Sequence, residues 1–246
     1  VTVLRTHGLA VGYPGRTLCT GLDLAFEPGQ CWAVLGNNGS GKSTLLHVLA
    51  GVQAPLSGRV ECDGNALAGL PPAARARALG LLLQEEPGMF WGSVREYVLL
   101  GRYPHRSLRP GWGEGDERVA DAALAEMHLE DLAGRPLAQC SGGERQRARL
   151  AQLLAQDPRV LLLDEPLLHL DLRHQLEVLA ALQSLARRGS RAVVMVLHDP
   201  ARARRFCDHA LLLFEGGATV QGPADALLRR STLERLYRCE VEGIEA

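Results

Sequence analysis

The densest chemistry in this chain lies in Gly36-Asn37-Asn38-Gly39-Ser40-Gly41-Lys42-Ser43-Thr44, which satisfies the pattern G-x-x-x-x-G-K-[ST] at every fixed position. In such a loop, successive backbone N–H groups and the positive end of the following helix converge on one anion. Glycines at 36, 39 and 41 permit positive φ and close backbone approach. Lys42 is then set to contact the β- and γ-phosphates of a nucleotide, and the Ser43 hydroxyl a bound Mg²⁺. Composition sharpens the reading, because Lys42 is the single lysine among 27 basic residues. A chain that otherwise uses arginine has its one compact ammonium where a phosphate clamp needs it.

Four further groups join this loop. Val160-Leu161-Leu162-Leu163 is continuously apolar and ends in Asp164-Glu165; continuous apolarity implies burial on both faces within a parallel sheet. Asp164 then falls where a carboxylate reaches Mg²⁺ bound at Ser43, while Glu165 points differently and is free to polarise a water. The apolar runs Leu79–Leu83 and Val193–Leu197 end at Gln84 and His198, at the carboxyl edge of an open α/β sheet, where ligands bind. Either residue alone is as readily a satisfied strand-end group; placement beside two acids favours function. Ser141-Gly142-Gly143-Glu144 opens a helix with Ala148, Ala151, Leu154 and Ala155 on one face, and Ser141 to Glu144 has capping-box spacing. Capping alone does not explain two glycines in a first turn, each costing about 1 kcal/mol against alanine, whereas a second anion site at the helix tip does. Tyr13, in the turn Tyr13-Pro14-Gly15, is either a half-buried ring or a platform for a base.

The elements that must hold these groups are those of an α/β protein. Cys31–Leu35 reads as a strand feeding the loop and Leu45–Ala50 as the helix leaving it. Val1–Val11 and Gly21–Phe26 are strand candidates, Ser57–Gly64 is a strand ending in an Asp-Gly turn, and Pro71-Pro72 starts a short helix. Composition shifts at Glu85-Glu86-Pro87-Gly88. From there to about residue 140 the pattern is helical, with Val94–Leu100 and Asp116–His128 separated by a loop from Arg102 to Gly115; we read this stretch as a helical subdomain inserted in the core. Asp171–Arg188 is an amphipathic helix with Leu172, Leu176 and Leu179 on one face. Leu211–Phe214 and Ala218–Gln221 form a hairpin, and two short helices follow.

Bulk properties narrow the function. A length of 246 residues is enough to bury a full core. A formal net charge of -1 gives no global attraction to nucleic acid or anionic lipid and leaves only local patches open; no direct nucleic-acid binding is expected. The longest apolar runs are far below the ~20 residues of a spanning helix, and no export leader is expected. The six cysteines are scattered, with no C-x-x-C pair, so reduced thiols are the plain reading. A GTPase is excluded, since its base-reading N-K-x-D needs a second lysine.

Taken in order, these stretches resemble the ATP-binding subunit of an ABC transporter over essentially the whole chain. They are the Walker A loop at 36–44, the Q-loop at Gln84, the signature at 140–144, Walker B at 160–165, a D-loop ending in Leu170-Asp171 and the switch histidine His198. The resemblance implies a P-loop NTPase (RecA-like) core with an N-terminal antiparallel β subdomain, over 1–86 and 156–246, and a helical subdomain over 87–155 carrying the signature. It implies that Tyr13 and Gly36, Asn37, Asn38, Gly39, Ser40, Gly41, Lys42, Ser43 and Thr44 bind ATP. By the same resemblance Ser43, Gln84 and Asp164 would hold Mg²⁺, Glu165 would act as general base or water orienter, and His198 and Gln84 would contact the γ-phosphate region, attacking water or metal. Ser141, Gly142 and Gly143 would complete the site of the other copy in an ATP-dependent, head-to-tail homodimer. Transmembrane permease subunits and a solute-binding protein are the implied partners, and the cytoplasmic side of the inner membrane the implied location. Gly92–His105 is similar to the matching stretch of importers for iron-siderophore, haem and cobalamin. Three positions depart from the family pattern: Cys140 for leucine, Glu144 for glutamine and Leu168 for the D-loop serine. The alternative is a non-transport ABC-type ATPase acting on nucleic acid or ribosomes; the coiled-coil, zinc or tandem additions usual there are not found in the sequence.

Overall fold

Continuous apolarity in the strands has the outcome that burial on both faces requires. In this computed structural model, which describes residues 3–84, 90–106 and 111–240, a six-stranded sheet runs in the order Thr219–Pro223, His209–Leu213, Cys31–Gly36, Ala192–Val196, Val160–Leu163, Leu79–Leu82. All neighbours are parallel except the His209/Thr219 hairpin. Alternate residues divide the sheet between two cores. Cys31, Ala33, Leu35, Leu161, Leu163, Val193 and Met195 face the helices Val94–Leu99, Gly142–Ala155 and Leu172–Leu185. Trp32, Val34, Val160, Leu162, Val194 and Val196 face the helix Lys42–Leu49 and an antiparallel sheet. All four residues of Val160–Leu163 are fully buried, and each such side chain contributes about 1.5–3 kcal/mol over exposure. The acids that follow are therefore held by a firmly packed strand.

The antiparallel sheet orders Arg16–Leu22, Leu4–Tyr13, Ser57–Cys62 and Asn65–Ala66, with Ala25–Phe26 pairing Leu4–Tyr13 separately. Here the sequence reading needs correction. The expected strand Gly21–Phe26 is split: its start ends a longer strand, Arg16–Leu22, joined to its neighbour by Pro14-Gly15, and its end is the separate short strand Ala25–Phe26. Arg16–Leu22 is an edge strand that buries only Cys19 and Leu22, and two register shifts in its pairing break the alternation that would have revealed it.

Between Phe90 and Ala155 the described residues include the helices Val94–Leu99, Glu114–Glu126 and Gly142–Ala155 and no named strand. The turn of 3₁₀ helix at Leu100–His105 occupies the beginning of the expected loop. The composition break at Glu85–Gly88, and with it the expected boundary at 86/87, lies outside the described residues. Leu172 does not join the buried face of its helix: it is 62% exposed, and burial begins at Val178 and continues through Leu179, Leu182 and Leu185. The first turn of this helix stands clear of the core. One helix, Pro200–Phe206, went unread although its signals were present, an Asp199 N-cap and a proline in the first turn. Among the described residues no helix is long and apolar enough to cross a membrane.

Candidate functional site

Four neighbouring parallel strands bring the singled-out residues to one edge. Leu82 lies opposite Leu163, Leu163 opposite Met195, and Val34 opposite Val196, so Gln84, Asp164-Glu165, His198 and the Gly36 loop emerge side by side. The loop follows local chemistry. Gly39 and Gly41 have φ of 78° and 102°, the left-handed region glycine tolerates, and Gly41 caps the helix Lys42–Leu49. Gly36 is needed for space: a Cβ there would lie 2.6 Å from both the Leu213 carbonyl oxygen and Ser40 Oγ. A cavity of about 500 Å³ opens above the loop, lined by Asn38, Gly39, Gly41, Lys42, Ser43, Thr44, Gln84, Glu165, His198, Tyr13, Arg16 and Leu18.

Lys42 is buried at 6% exposure. Its ammonium donates to the carbonyl oxygens of Gly36 (2.8 Å) and Asn37 (3.0 Å). Burial lowers its pKa, while the Glu165 and Asp164 carboxylates pull it back up. Asp164 is 2% exposed; burial raises its pKa, and a hydrogen bond from Ser43 opposes that rise. Its Oδ1 is buried with no hydrogen-bond partner. A buried carboxylate oxygen left unpaired is costly, and beside a serine hydroxyl and a phosphate cradle it fits a hard, oxygen-seeking cation such as Mg²⁺.

Glu165 is arranged otherwise than expected. Its backbone has φ of 51°, uncommon for a residue with a side chain, and neither oxygen is free. Oε1 pairs with His198 Nε2 at 2.8 Å, and Oε2 accepts from Gln84 Nε2 at 3.1 Å. The carboxylate is latched between the two strand-end residues. Tyr13 stands half-exposed at the cavity rim, its hydroxyl 3.3 Å from Thr44 Oγ1. Arg16 and Leu18, on the strand missed in the sequence, also line the cavity; the tight turn after Tyr13 was the one signal that could have placed them.

Gly36, Asn37 and Ser40, also expected to bind the nucleotide, are not among the residues lining the cavity. Ser141, Gly142 and Gly143 do not line it either. Their capping box forms as the spacing predicts: Ser141 Oγ accepts from the Glu144 N–H at 3.2 Å and Glu144 Oε2 accepts from the Ser141 N–H at 2.7 Å. That backbone bond is the chief cause holding the Glu144 carboxyl below the usual range. The glycine pair packs against the chain's own D-loop, where a Cβ on Gly143 would lie 3.2 Å from the His169 carbonyl oxygen.

A phosphate cradle, a strand-end carboxylate pair and polar groups at adjacent strand ends define a P-loop nucleoside triphosphatase. A family profile described as ABC transporter matches residues 19–168, and the chain belongs to that family, as one of its ATP-hydrolysing subunits. The hemin import ATP-binding protein HmuV of Pseudomonas aeruginosa is 41% identical over 97% of this chain and 94% of its own length. The achromobactin transport ATP-binding protein CbrD of Dickeya dadantii is 37% identical over 98% and 89%, and the ferric enterobactin transport ATP-binding protein FepC of Escherichia coli 36% over 98% and 90%. Among solved structures, an inward-facing transporter described as metal-chelate type superposes with a TM-score of 0.85 at 30% identity, over 98% of this chain and 90% of that one. A bacterial Atm1-family exporter with ATP bound gives 0.81 at 26%, over 99% and 43%.

Proposed function

We propose that this chain drives an importer of iron chelates or haem, binding ATP between two head-to-tail copies and hydrolysing it to separate them. The observation that carries the chemistry is the single cavity lined by the phosphate loop together with Gln84, Glu165 and His198. The relatives' printed substrates support the cargo class. The resemblance of the stretch Gly92–His105 to importers for iron-siderophore, haem and cobalamin points the same way. Permease subunits are the proposed receptors of this helical block, which we take as a subdomain over 87–155, and a solute-binding protein completes the system. The proposed location is the cytoplasmic face of the membrane.

In this reading the loop N–H groups and Lys42 hold the phosphates, and Lys42 exchanges two loop carbonyls for phosphate oxygens. Ser43, Asp164 and Gln84 would hold Mg²⁺, which would supply charge neutralisation at the triphosphate. Tyr13 offers its exposed ring to the base. The γ-phosphate competes for the donors that latch Glu165: as Gln84 and His198 turn toward it, a Glu165 oxygen is released to orient water. Ser141, Gly142 and Gly143 supply the far wall from the second copy.

Glu165→Gln tests this directly. It should keep ATP affinity, lose about a hundredfold or more in hydrolysis, as removal of a general base does, and accumulate as an ATP-bound dimer in light scattering. Normal turnover would remove Glu165 from its role. A hydrolysis-dead variant that stays monomeric with ATP would remove the two-copy site.

A further inference from the structure

Asn37 occupies a variable position of the phosphate loop, yet its side chain is among the best held there. It turns away from the cavity toward the carboxyl end of the chain, where Nδ2 donates to the Leu236 carbonyl oxygen at 3.2 Å and to Glu215 Oε1 at 3.4 Å. Leu236 belongs to the helix Arg230–Tyr237, anchored by Leu233 and Leu236, both buried in the core. Glu215 is itself fixed, since its other oxygen pairs with Arg238. Arg238 ends the helix in a left-handed conformation (φ 55°), with its N–H returned to the Glu234 carbonyl at 2.8 Å. Arg235 lies over the Phe214 ring, 4.6 Å from its centre, tying the helix to the strand end that carries Glu215. On the other side of the same residue, the Asn37 carbonyl oxygen accepts from the Lys42 ammonium.

We propose that the helix Arg230–Tyr237 is a brace for the phosphate loop, and that Asn37, held by Leu236 and Glu215, is a positioning residue that sets the loop backbone around Lys42. The chemistry fits the residue type. Two acceptors face one side chain, and a group with two N–H donors satisfies both; an aspartate would set a carboxylate against a carboxylate. The residue keeps its carbonyl aimed at Lys42 while Lys42 waits for phosphate, and so fixes how readily the loop accepts an anion. This inference rests on the reading of the cavity as an ATP site.

The test is equilibrium binding of AMP-PNP with Mg²⁺, alongside thermal unfolding. Asn37→Asp should bind at least about fivefold more weakly, the scale of one or two hydrogen bonds. Glu215→Gln alone should weaken binding by about two- to threefold, because its amide oxygen still accepts from Asn37 while its amide nitrogen no longer pairs with Arg238. The double variant should recover only the part of the loss owed to Glu215, the new amide donating to the introduced carboxylate while the Leu236 carbonyl oxygen stays without a donor. Arg238→Ala, a surface change, should weaken binding by about two- to threefold with an unchanged unfolding midpoint, and gives a second reading should Asn37→Asp fold poorly. If Asn37→Asp folds and binds like the unaltered chain, or the double variant recovers none of its loss, the brace is refuted. If Asn37→Asp does not fold and Arg238→Ala binds normally, it is refuted equally. Failure of the unaltered chain to bind AMP-PNP defeats the ATP reading itself, a result distinct from either.

Discussion

At the scale of single residues, Lys42 and Asp164 show how burial prepares a site. Burial lowers the Lys42 pKa, two nearby carboxylates oppose that, and two carbonyl oxygens accept from its nitrogen, so an arriving phosphate meets a donor already stripped of water. Lys42→Ala should weaken ATP binding by about 10- to 100-fold, the ~1.5–3 kcal/mol of a charged hydrogen bond, read by nucleotide titration. An unchanged dissociation constant would refute the clamp. Both residues were legible in the sequence, because a fixed spacing and an uninterrupted apolar strand define their surroundings locally. The latch on Glu165 was not. Its partners Gln84 and His198 come from two other strands, and only the sheet order makes them neighbours. Nor was the side-chain partner of Asn37: Leu236 is 199 residues away.

At the scale of elements, the helix Gly142–Ala155 begins with a reciprocal cap and a glycine pair, and the two features serve different ends. The cap fixes where the helix starts; Ser141→Ala should cost about 1 kcal/mol in stability, measured by denaturant unfolding. The depressed Glu144 carboxyl contributes stability that is present above its unfolded pKa and lost only as pH falls through the lower folded value. The cap should therefore persist below the usual glutamate range. The glycines admit the D-loop backbone alongside the tip, a closeness that sequence suggested only as room for a phosphate. Elements with clean signals, such as Val160–Leu163 and the helix after Ser141, were readable. The edge strand Arg16–Leu22 was not, because two buried side chains in a bulged pairing leave little periodicity.

At the scale of the whole molecule, a cradle and a capped glycine tip sit on one chain, but the tip does not line its own chain's cavity. A second copy closing over the cradle would resolve that separation, with the D-loop at the seam. There Leu168 stands where the family pattern has serine. We expect Leu168→Ser to raise the ATPase rate by about threefold through one restored hydrogen bond, and to lengthen the ATP-bound dimer's lifetime. No change in either would leave the substitution without consequence for turnover.

The burial of Lys42 has one more consequence. Because every other basic side chain except histidine is a guanidinium, acylating reagents that seek out lysine find a solitary target, tucked behind the nucleotide's seat. Labelling at that position becomes a native gauge of vacancy, needing neither a fluorophore nor an engineered handle.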